Sequence, residues 1–262
     1  GGYRHFMLKE IMEQPEAVTR TLRGQVTFDP VDVVLEDIGL TDRELAEIDR
    51  VVLVGMGTSW HAAQAGRFMI ESLAGMPAEV DNSSEFRYRG QVLGSHTLLV
   101  SVGQSGETAD TLGAMDEAAK RGAKQVTVCN VEGSQATRMA DGTVYIGVGP
   151  EICVASTKCL TGSLVGLYLL AAYLGKVRGA LDPGRMATAL EDLVTLPRLL
   201  GEALKEREHI EELAQRYHKY HHFLFLGRGI NTSMAMEGAL KLKEVSYIHA
   251  EGYAAGEMKH GP

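Results

Sequence analysis

Cysteine, tryptophan and positive charge are all scarce in this sequence, and two of these shortages remove whole classes of protein. Its three cysteines, Cys129, Cys153 and Cys159, form an odd set with no CxxC pair. Neither a disulfide framework nor a thiolate metal site is expected, and a reducing cytoplasm suits such usage. Lys and Arg total 26 against 34 Asp and Glu, a formal net charge of −8. A nucleic-acid partner would require a basic face to neutralise phosphates, so none is expected. There is no run of about 18 apolar residues, which argues against a membrane partner. The nearest stretch, LVGLYLLAAYLG (164–175), is short and reads as a buried helix. The opening GGYRHFMLKE lacks the basic-then-apolar order of a secretory signal.

What is present is enough for a core: 262 residues, 45% of them hydrophobic, sufficient for one or two domains. Residues 1–49 read as a helical entry segment, broken at Pro15 and closed by a capping-box pattern at Thr41–Glu44. From 50 to 178 strand and helix patterns alternate: VVLVG (51–55), AEVDN (78–82), TLLVSV (97–102), QVTVCN (125–130) and TVYIG (143–147). Alternation of this kind predicts an α/β fold, a doubly wound parallel sheet with flanking helices. A long apolar helix from Thr157 to Leu174 closes this unit, and 179–220 reads as a helical connector. In 221–262 the pattern returns, HFLFLGRGINTSMAMEGALKLKE paralleling VVLVGMGTSWHAAQAGRFMIE. The second half therefore reads as the first part of a repeated domain.

Three small-residue turns stand where strands give way to helices. GMGTSWHA places Trp60 where a dinucleotide fingerprint needs glycine, although Asp81 lies near enough to keep that reading open. Thr58 and Ser59 present hydroxyls at a helix start, suited to an anion, or Ser59 simply caps the helix. Gln104, Ser105 and Thr108 have the same design between Gly103 and Gly106, with a self-satisfied turn as the alternative. In EICVASTK, Ser156 and Thr157 are natural caps, and Lys158 either brings a cation to the rim or points to solvent.

Acid–base candidates lie in the second half. Lys241 and Glu244 share a helix face, as a surface ion pair or as proton-transfer machinery bordering a crevice. His260 sits in a tight KHGP turn and is of the residue type best suited to proton transfer near neutral pH. His218 and His222 have metal spacing but span a helix end and a strand start, so no metal is expected. Cys153, Cys159, Met234 and Met236 read as packing residues.

Taken in order, YRHFMLKEI, GMGTSWHA, EFRYR, GQSGETADTL, GPEICVASTK, LGRG and EGALKLKEVSYIHAEGYAAGEMKHGP resemble the sugar-isomerase (SIS) family. Within it, they are most similar to the isomerase region of the glutamine–fructose-6-phosphate aminotransferases. The resemblance implies two SIS subdomains that bind fructose 6-phosphate or glucosamine 6-phosphate, without a cofactor, in a cytoplasmic homodimer. It assigns phosphate and sugar contacts to Thr58, Ser59, Gln104, Ser105 and Thr108, and sugar contacts to Val154 and Ser156. Glu244 would move the proton between C2 and C1, Lys241 would stabilise the enediol-like intermediate, and His260 would assist ring opening from the partner subunit.

Four departures accompany the resemblance. The family's glutaminase domain and its C-terminal Schiff-base lysine are not in this sequence, so the chain is expected to be inactive alone. Cys153 stands where glycine is usual, and Gly103 where serine is common. The alternatives are a non-enzymatic phosphosugar-binding or regulatory module, or a stand-alone ketose/aldose isomerase.

Overall fold

The computed structural model describes residues 2–261. The entry segment folds as two short helices, α1 (Phe6–Met12) and α2 (Gln14–Leu22). Pro15 lies in the first turn of α2, where its missing N–H goes unused. A hairpin of β1 (Val26–Phe28) and β2 (Val31–Val33) follows, then α3 (Asp42–Ala46).

The expected capping box is formed. Thr41 Oγ1 accepts from the Glu44 N–H at 3.2 Å, and the Glu44 carboxylate accepts from the Thr41 N–H at 3.0 Å. Lys124, 2.7 Å from the same carboxylate, and the Thr41 donors hold the Glu44 pKa down at about 2, from the ordinary 4.5. A depressed carboxyl stabilises above its unfolded pKa and loses that contribution as pH falls through its folded value. The urea-midpoint gap between wild type and Glu44→Gln is therefore expected to close as pH drops from 4.5 toward about 2.

The central sheet holds β3 (Arg50–Gly55), β4 (Ala78–Asn82), β5 (Thr97–Gly103), β6 (Lys124–Cys129) and β7 (Gly142–Tyr145). All pairings are parallel, in the order β4-β3-β5-β6-β7. The connecting helices are α4 (Thr58–Ala74), α5 (Ser83–Phe86), α6 (Ala109–Lys120) and α7 (Gln135–Met139), and α8 (Lys158–Val177) follows β7. Strand periodicity sorts them into layers. Val51 and Leu53 join the core formed by α4 and α8, while Val52 and Val54 pack with Phe86, Ala114 and Met115 on the other face. The sheet is doubly wound, as its alternating pattern implied. The apolar stretch 164–175 lies within α8, a core helix with Leu167, Leu169 and Leu170 fully buried.

The connector is α9 (Pro183–Ala203), one 3-10 turn and α10 (Arg207–Tyr217). Beyond it β8 (His222–Gly227), α11 (Asn231–Ser246) and β9 (His249–Ala254) repeat the strand–helix–strand unit, with β8 and β9 parallel. The repeat extends to a steric joint. A Cβ on Gly55 would sit 2.7 Å from Ser59 C, and one on Gly227 would sit 2.0 Å from Asn231 O. In both copies only glycine lets the next helix begin so close to the strand.

Candidate functional site

Strand β3 connects onward to β4 on one side, and the chain then returns to pair β5 on the other. That reversal opens a crevice beyond the carboxyl ends of β3 and β5, the usual ligand position in an open α/β sheet. The turns carrying Thr58, Ser59, Gln104, Ser105 and Thr108 flank it.

The 104–108 turn is pinned from behind. Gln104 O accepts from Asn130 N–H (3.3 Å), Gly106 O from Ala136 N–H (2.9 Å), and the Glu107 carboxylate from Gln135 N–H (2.8 Å). Ser105 Oγ accepts from Glu107 N–H at 3.2 Å, a turn-stabilising role that leaves its own proton available. Thr108 occupies the N-cap position of α6 without a side-chain cap bond. Among the described residues, the Gln104 amide and the Thr108 and Ser59 hydroxyls have no hydrogen-bond partner. A Cβ at Gly103 would meet Gly106 N at 3.8 Å, so space does not exclude a side chain there.

The other two turns already hold carboxylates. Before α8, Glu151 accepts from Thr157 N–H (2.8 Å), Thr157 Oγ1–H (3.2 Å), Cys159 N–H (3.2 Å) and Ser156 Oγ–H (2.9 Å). This corrects the expected roles there: Ser156 donates to Glu151 and does not cap the helix, and Thr157 holds the cap position without a side-chain cap bond. Lys158 is neither a rim cation nor solvent-exposed: it is 3% exposed and paired with Glu13 at 2.8 Å. Cys159 is buried, with burial driving its thiol pKa far up. Cys153, expected to be packed, is half-exposed in the loop, and Val154 is 95% exposed.

At the start of α4 the second carboxylate comes from α11. Gly57 is the N-cap of α4, so Ser59 lies inside the helix and is not its cap. Glu237, Lys241 and Glu244 share one face of α11, and the first two meet α4 there. Thr58 Oγ1 donates to Glu237 Oε1 (2.8 Å), His61 Nδ1 lies 2.6 Å from Glu237 Oε2, and Lys241 Nζ donates to Thr58 Oγ1 (3.0 Å). Lys241 also pairs with Glu244 (2.6 Å) and Glu237 (3.3 Å). Burial pushes the Glu237 carboxyl up, but His61, Lys241 and Thr58 together outweigh it and hold it below its ordinary value.

Glu237 and His61 escaped the sequence reading. The available signal was Glu237 at i−4 from Lys241, extending the Lys241–Glu244 face by a turn. His260 is exposed at the end of a 3-10 turn, its N–H on Glu257 O at 2.8 Å. No hydrogen bond among the described residues joins it to Lys241 or Glu244. His218 bonds Gln215 O while His222 faces His249, so the pair with metal spacing does not converge. No cluster of metal-ligating side chains occurs among the described residues.

A doubly wound sheet with hydroxyl-bearing glycine turns at its switch point defines an open α/β protein of the crevice-binding class. The chain belongs to the SIS domain family, whose model matches residues 44–173 and 216–262. It is 51% identical over its whole length to the glutamine–fructose-6-phosphate aminotransferase (isomerizing) of Pseudomonas putida, and 44% identical to that of Clostridium tetani. The chain spans 43% of the length of each. The C-terminal domain of glucosamine-fructose-6-phosphate aminotransferase from Francisella tularensis superposes with a TM-score of 0.95 at 39% identity. That match covers all of this chain and 72% of the other. The fold is shared with the tagatose-6-phosphate ketose/aldose isomerase of Escherichia coli (TM-score 0.75, 17% identity, 99% of this chain and 70% of the other).

Proposed function

We propose that the chain holds fructose 6-phosphate or glucosamine 6-phosphate, with the phosphate in the turn from Gln104 to Thr108. One observation carries this assignment: of the three hydroxyl-bearing turns, two already hold a carboxylate, Glu151 on Ser156 and Thr157 and Glu237 on Thr58, and the 104–108 turn is open. Phosphate there would meet the positive end of α6 and unpartnered polar side chains. Thr58, Ser59, Val154 and Ser156 would complete the sugar site.

The proposed chemistry belongs to a glutamine–fructose-6-phosphate aminotransferase, of which this chain is the isomerase region. Moving a proton between C1 and C2 requires a positioned carboxylate and a cation beside the developing oxyanion. Glu244 fits the first role and Lys241 the second, since their ion pair places charge of both signs on the crevice side of α11. His260 would open the sugar ring from the partner subunit of a cytoplasmic homodimer.

Calorimetric titration with either sugar phosphate tests the site. Binding is expected in the millimolar range or tighter, and Ser105→Ala should weaken it by about 1 kcal/mol, the net worth of one lost hydrogen bond. Unchanged affinity would return Ser105 to a purely structural turn. No binding at millimolar sugar phosphate by the wild type would overturn the assignment.

A further inference from the structure

Glu10, on the entry helix α1, is only 2% exposed, yet no cation pairs with it among the described residues. Its carboxylate instead faces the backbone of a distant loop. Ile152 N–H donates to Oε1 at 2.6 Å, and Cys153 N–H lies 3.4 Å from Oε1 and 3.3 Å from Oε2. A buried carboxylate without a counter-ion is costly unless donors converge on it, so the loop and the carboxylate each depend on the other.

That loop, 150–157, lacks helix or strand structure and exposes Ile152 and Val154, 62% and 95% accessible. Ala155 is its one buried apolar side chain, so apolar packing does little to define its path. Two carboxylates define it instead: Glu151 fastens its far end to the start of α8, and Glu10 fastens its middle. The same corner is tied to α8 by the Glu13–Lys158 pair and by Thr161 Oγ1–H donating to Gln14 Oε1 at 2.6 Å. The entry helices thus hold both the loop and the helix it leads into.

We propose that Glu10 is a positioning residue: its carboxylate holds the loop in the shape that presents Val154 and Ser156 to the sugar, a role that rests on the function proposed above. The entry segment is then part of the binding machinery, although none of its side chains need touch the ligand.

Cys153 supplies the test, because its own N–H is one of the two that Glu10 holds. Labelling with an aromatic disulfide, without sugar, reads the loop directly, while buried Cys129 and Cys159 report global opening in the same sample. Glu10→Ala is expected to accelerate Cys153 about tenfold, as for a lost hydrogen bond to a charged acceptor, with the other two thiols unchanged. Affinity for glucosamine 6-phosphate should fall by a similar factor.

If Glu10→Ala does not fold, Glu10→Gln carries the test, since its amide nitrogen would oppose the Cys153 N–H donor to donor. Cys153 at the wild-type rate in the folded variant, or all three thiols accelerating together, would overturn the proposal. Sugar that fails to protect Cys153 in the wild type, with the variant still faster, would remove the loop from the sugar site. Glu10's hold on the loop would then stand alone.

Discussion

Glu237→Ala is expected to destabilise the chain by about 3 kcal/mol or more, the usual consequence of removing one partner from a buried ion pair. Glu237 is 4% exposed and accepts from Thr58 while facing His61 and Lys241. Its loss strands a buried imidazole donor and leaves Lys241 with Thr58 and a single carboxylate, Glu244. The damage should concentrate where α11 meets α4, freeing the second unit before the first unfolds. Trp60, the only tryptophan, lines a cavity of about 480 Å³ at that seam with His61 and Met236. Its fluorescence during urea unfolding should show an early phase in the variant. A shift within about 0.5 kcal/mol of wild type, the range of neutral surface changes, would show that the cluster contributes nothing. Because Glu237 is held below its ordinary value, its contribution is present at neutral pH and lost as acid protonates it.

Gly55→Ala is expected to cost about 1–3 kcal/mol through overpacking and to impair sugar-phosphate binding with it. The added methyl would lie 2.7 Å from Ser59 C and 2.9 Å from both Ser59 O and Trp60 N. Those are backbone atoms, so relief requires moving the first turn of α4 and Thr58 with it. Gly103→Ala, at the end of the neighbouring strand, is the matched control. Its Cβ would meet only Gly106 N at 3.8 Å, and it should stay within about 0.5 kcal/mol of wild type. Thermal denaturation of the pair separates the two glycines. Equal losses would mean that the close joint at Gly55 is not what its glycine serves.

The sheet was legible in the sequence because fully buried parallel strands leave unbroken runs such as VVLVG and TLLVSV, and small turn residues punctuate them. The 104–108 turn was legible for the same local reason. Side-chain partners were not. Lys158 follows two small polar residues in a turn and looks exposed in isolation. Only folding brings Glu13, 145 residues away, to its ammonium group. Glu10 and Glu151 were missed similarly, since nothing local marks which of the acidic residues turns inward. The Lys241–Glu244 spacing was visible, but its extension to Thr58 crosses two copies of the repeat.

Helix α8 has one more consequence, for the order in which the chain is made. Its 20 residues are long and apolar enough to pass for a membrane span by composition, yet 61% of its most apolar window is buried within the fold. Exposed during synthesis, such a segment would invite chaperones or aggregation. Most of the surfaces that receive it, α2, α4, β6 and β7 among them, precede it in the chain, while α9 follows it. Growth from the N-terminus therefore delivers this apolar segment after most of its docking groove has left the ribosome.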